Sequence, residues 1–82
     1  MAQLTDKAEF IRCREMKRAM RKLPDLTDEE WRVIEKMTHM IVRKMLRDPM
    51  RMVNKTAGTS RERILKFAIR KLFKLQEEAV DE

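Results

Sequence analysis

Glycine is almost absent from this sequence: Gly58 is the only one in 82 residues. A glycine-rich phosphate loop needs several such residues, so neither dinucleotide nor nucleotide binding is supported. Tyrosine is missing and proline occurs twice, which points away from a turn-rich β-protein. Cys13 is the single cysteine and His39 the single histidine. The first has no partner for a disulfide or a zinc ligand pair, and the second cannot form a two-histidine metal site within one chain. No apolar run approaches the roughly 18 residues of a membrane span. The opening Met1-Ala2-Gln3-Leu4-Thr5-Asp6 lacks the apolar segment of a secretory signal. With an unpaired thiol as well, a cytoplasmic location is expected.

What is present is charge and apolar surface in nearly equal measure, at 41% and 43% of residues. That balance suits amphipathic helices, with charged faces solvated and apolar stripes buried. The net charge of +6 favours an anionic partner, although a solvated helix face accounts for much of it. The charge is uneven. Residues 1–24 carry seven Lys/Arg against three Asp/Glu, and residues 25–48 carry five against six.

The spacing predicts an all-α chain with helices over 6–23, 28–47, 49–57 and 60–77, and a frayed tail over 78–82. Asp6 and Glu9 suit a first cap. Phe10, Cys13, Met16, Met20 and Leu23 then recur at helical intervals, and Leu23-Pro24 ends the run. Thr27-Asp28-Glu29-Glu30 is a capping box flanked by Leu26 and Trp31 at staple positions. Trp31, Ile34, Thr38, Ile41 and Met45 form the next stripe, widened by Val33, Met37 and Met40. Asp48-Pro49 reads as the end of that helix and the start of a short one, with proline at its first position. Gly58 suits a left-handed terminus. Thr59-Ser60-Arg61-Glu62 reads as a second capping box before a helix carrying Ile64, Leu65, Ala68, Ile69, Leu72, Phe73 and Leu75.

Three long amphipathic helices and one short one leave apolar arcs too wide for so short a chain to cover. No disulfide compensates, so a bundle-like homodimer is expected, two-fold pairing being the commonest closed arrangement. The candidate core or interface residues are Trp31, Ile34, Met37, Ile41, Met45, Leu65, Ile69 and Leu72.

The chemical alternatives have less behind them. Cys13 lies on the stripe with Met16 and Met20, as a buried structural thiol does. His39 reads as a helix-surface or interface residue. The carboxylates gather at helix starts and in the tail, where the helix dipole explains most of them. The methionines fall within apolar stripes, which favours core or seam over a peptide-binding groove. A DNA-reading helix-turn-helix wants short helices and a tight turn, and the connections here hold Pro24 and Pro49. Arg61, Arg63, Lys66, Arg70 and Lys71 could still track phosphates, so an independent basic helical RNA- or DNA-binding protein is the competing reading.

The run Lys22-Leu23-Pro24-Asp25-Leu26-Thr27-Asp28-Glu29-Glu30, followed by Val33 to Pro49, carries a resemblance. It resembles the C-terminal dimerisation domain of glutamyl-tRNA reductases, with an acidic helix start, an apolar-Thr pair at Met37-Thr38, Ile41-Val42, Lys44, Met45-Leu46 and then a proline. Lys7 to Arg12 resembles the end of that family's long spine helix, and Arg63-Ile64-Leu65 with Lys71 to Leu75 resembles its closing helix. Arg43 and Arg47 depart from the usual Asn and His, without disturbing the apolar spacing.

The resemblance implies a module that holds two subunits together. It implies a parent enzyme that reduces glutamyl-tRNA with NADPH to glutamate-1-semialdehyde, the start of tetrapyrrole (porphyrin) synthesis. The nucleophilic cysteine and the NADPH site of that enzyme lie in other domains. Cys13 does not match the catalytic motif, so no catalytic residue, cofactor or metal is expected here. A basic edge reaching the tRNA backbone would use Lys17, Arg18, Arg21 and Lys22, with Arg12 and Arg14 beside them.

Overall fold

A computed structural model describes residues 2–75. The chain is all-α, with α1 over Ala2–Lys22, α2 over Asp28–Lys55 and α3 over Arg61–Leu72, and no strand among the described residues. α1 and α2 form an antiparallel hairpin: Arg12 reaches Thr38 and Glu9 approaches His39, while Met20 and Trp31 share the end nearer the connection.

The start of α2 follows from its capping box. The Glu30 N–H donates to Thr27 Oγ1 at 3.1 Å, and the Thr27 N–H donates to Glu30 Oε1 at 2.8 Å. Two otherwise orphaned donors are thereby satisfied.

Pro49 does not end the helix, contrary to the expectation of separate helices over 28–47 and 49–57; α2 runs through it. Proline has no N–H to give the carbonyl four residues back, here that of Met45. Met45 is 73% exposed, on the side open to water. On the opposite side Leu46, Met50 and Val53 continue one helical stripe onto the core, and that burial offsets the missing bond.

The other ends also differ from expectation. α1 starts at Ala2, so Asp6 sits within the helix and caps nothing. The second capping box is displaced. Ser60 makes no side-chain cap bond, Thr59 Oγ1 accepts from the Arg61 N–H at 3.2 Å, and Glu62 Oε1 accepts from the Gly58 N–H at 2.7 Å. Gly58 takes φ +79°, a left-handed conformation that favours glycine, and this brings its amide round to the carboxylate. α3 stops at Leu72 rather than at residue 77. Lys74 adopts φ 54° and the Leu75 N–H donates to the Arg70 carbonyl at 2.9 Å, which closes the helix with a left-handed turn. The expected helical residues 76–77 and frayed tail 78–82 lie outside the described residues.

The core is small. Leu4, Val53, Ile69 and Leu75 are buried, with Leu46, Met50 and Leu65 packed around them. Leu4 and Ile69 are 2% and 4% exposed. Lys7 Nζ adds a polar tie, donating to the Phe73 carbonyl at 2.7 Å and the Lys74 carbonyl at 3.2 Å. A cation there suits the negative end of α3. The molecule measures 52 × 30 × 15 Å, and its radius of gyration is 16.3 Å. A compact chain of this length would have about 12 Å.

Pro49→Ala tests the continuous helix. Restoring the missing donor within one unbroken α2 should stabilise the chain, by up to about 3 kcal/mol, read as a higher urea midpoint. A lower midpoint would mean that proline initiates a separate helix.

Candidate functional site

Fourteen large hydrophobic side chains are exposed, against four buried ones. The exposed set is not scattered. α1 and α2 diverge enough to leave an open groove of about 710 Å³, closed at one end by Leu72 and Phe73 beyond α3's last turn. Ile11 and Met16 from α1 face Ile34, Ile41 and Met45 from α2 across it. Met45 at 73% and Leu72 at 78% exposure stand at the mouth. An apolar patch of this extent on so small a chain marks an interaction surface.

A polar clasp spans the groove wall. The Arg12 side chain is 9% exposed. Its guanidinium donates to the Glu9 carboxylate through Nε, at 3.1 and 3.0 Å, and through Nη2. Nη1 crosses to α2 and donates to Thr38 Oγ1 at 3.3 Å, while the Thr38 hydroxyl donates to the Glu35 carbonyl at 2.9 Å. His39 Nδ1 lies 3.9 Å from Glu9. The hydrogen bond from Arg12 holds the Glu9 carboxyl below its ordinary range, and the same bond raises the Arg12 guanidinium. The clasp therefore fixes the register of α1 on α2.

A second, smaller groove of about 340 Å³ lies beside the hairpin turn, between Cys13, Met16 and Met20 on α1 and Trp31 on α2. Cys13 is exposed, not buried as its stripe suggested. The reason is rotational: with Leu4, Ala8 and Arg12 turned inward, Cys13 is carried to the flank. Its Sγ lies 3.6 Å from Glu9 and 3.7 Å from Arg12.

The expected site residues divide accordingly. Ile34, Ile41, Met45 and Leu72 come together at the main groove, and Trp31 lines the smaller one. Ile69 is core and Leu65 packs beside it. Met37 stands exposed, lining neither groove. Leu4 and Ile11 were missed. Leu4 preceded the expected helix start, and Ile11 lay off the stripe running through Phe10 and Cys13.

The basic residues also separate. Arg12 is turned into the clasp and unavailable to an external phosphate. Arg14 lies 5.7 Å from the Phe10 ring centroid, and Arg18 pairs with Glu15 at 3.3 Å. Lys17, Arg21 and Lys22 are exposed near the end of α1. Among the described residues no three His, Cys, Asp or Glu side chains converge as a metal site would require, and no helix is long and apolar enough to cross a membrane.

A family model described as glutamyl-tRNAGlu reductase, dimerisation domain, matches residues 1–75. The chain belongs to that family. This dimerisation domain is also similar to curated relatives named glutamyl-tRNA reductase. One from Geobacillus kaustophilus is 34% identical over 94% of this chain and 17% of its own length. One from Bacillus thuringiensis is 35% identical over 99% and 18%, and one from Natranaerobius thermophilus is 28% identical over 98% and 18%. The chain thus spans less than a fifth of the length of the relatives it matches. No solved structure matches it.

The clasp has a pH signature. Because Glu9 titrates lower in the folded chain than when unfolded, its contribution is present above the ordinary carboxylate value of about 4.3. It is lost as pH falls through the lower folded value. Glu9→Gln should flatten the acid limb of a thermal-midpoint profile between about pH 5 and 3. An unchanged limb would show that the clasp contributes nothing to stability.

Proposed function

We propose that the domain holds two copies of a glutamyl-tRNA reductase together by pairing their groove faces. The observation that carries this is the imbalance between fourteen exposed large hydrophobics and four buried ones, gathered in part around one groove. Reduction of glutamyl-tRNA to glutamate-1-semialdehyde, with NADPH, belongs in this proposal to other parts of the enzyme, acting in the cytoplasm. The geometry of these helices offers no nucleophile or cofactor cradle for it. An independent RNA- or DNA-binding role gains no support, since Arg12 and Arg18 are engaged by carboxylates of α1 itself.

Sedimentation equilibrium of the 82-residue chain should give twice the chain mass at micromolar concentration. Ile41→Asp should bring that mass down to one chain, because an unpaired carboxylate in the seam costs several kcal/mol, on the order of 3–5. A variant that keeps the doubled mass would place Ile41 outside the seam.

Within the same proposal the exposed basic edge at Lys17, Arg18, Arg21 and Lys22 meets the tRNA backbone. Such contacts weaken steeply with salt and ignore sequence. Changing all four residues to Gln should abolish tRNA binding by the chain at low salt. Equal binding by both proteins would remove this edge from the proposal.

A further inference from the structure

The folded chain exposes 7000 Å². A compact protein of 9.9 kDa is expected to expose about 5200 Å². The excess, on the order of 1800 Å² per chain, exceeds the roughly 800 Å² per partner of an ordinary interface and falls in the range of obligate pairs. Four buried side chains cannot offset the ordering of more than sixty helical residues, since fixing each costs about 1–2 kcal/mol.

We propose that the chain has no stable folded monomer: a second copy seated against the groove between α1 and α2 completes the core, so folding and pairing are one step. This rests on the pairing reading above and goes beyond it, because a pairing domain can equally be built from monomers that fold first. The mouth residues Ile41, Met45 and Leu72 lose their water only when the second copy arrives. Phe67 serves as the contrast. It is exposed on α3 away from the groove, with Lys71 Nζ 5.5 Å from its ring centroid.

The test follows helicity by circular dichroism and mass by sedimentation on the same samples, diluted from tens of micromolar to nanomolar. Helicity and doubled mass should vanish over the same concentrations, and the thermal midpoint should rise about 4 °C per tenfold increase in concentration. Met45→Gln should raise the concentration of half-association tenfold or more, while Phe67→Gln changes it less than about twofold. A doubled species that dissociates into a helical monomer would overturn this inference and leave the pairing function standing. A helical monomer at every concentration would overturn both. If Phe67→Gln weakens association and Met45→Gln does not, the groove is not the seat.

Discussion

Leu4, Val53, Ile69 and Leu75 are where all three helical segments shut out water together, and the rest of the structure depends on how little that cluster covers. It lies at one end of the hairpin, where the start of α1, the last turns of α2 and the end of α3 converge. Away from it, α1 and α2 are held by half-buried side chains and by the Arg12 clasp. The groove is what remains when two long amphipathic helices are pinned at one end and their other apolar faces have no third layer. Hydrophobic burial scales with area removed from water, so an open groove is a driving force not yet used.

The same constraint explains the behaviour of Pro49. A proline inside a helix costs a hydrogen bond and a steric clash, and it commonly marks a boundary. Here a break would separate Leu46 from Met50 and Val53, which pack on the core from successive turns. In a chain with so few buried residues, that stripe outweighs the local cost. Lys74 illustrates the same balance. A non-glycine residue holds a left-handed conformation, and the turn it makes brings Leu75 into the core while its carbonyl accepts from Lys7.

Polar contacts set register more than stability. Arg12 binds Glu9 within α1 and reaches Thr38 on α2, so only one rotation of α1 satisfies it. That rotation turns Leu4 and Ala8 inward and leaves Phe10 and Cys13 on the outer side. The exposed thiol and the groove mouth thus have one origin, a helix with more apolar surface than a single neighbour can cover.

The sequence by itself determined the all-α class, the hairpin at Leu23–Thr27, the capped start of α2 and the surplus of apolar surface, because these depend on neighbours within a turn or two. The resemblance carried by Lys22 to Pro49 led to the right family for the same reason: an ordered set of caps and apolar spacings is local. The tertiary structure alone decided which of α1's two apolar stripes faces inward, whether Pro49 breaks or continues α2, and which expected site residues meet. Ile34, Ile41, Met45 and Leu72 share one groove, while Ile69 is spent in the core and Met37 lies elsewhere. Helical periodicity shows that a residue lies on an apolar face, but which face is buried depends on partners distant in sequence. Ile11 and Leu72, sixty-one positions apart, line the same space only because α3 folds back toward the start of α1.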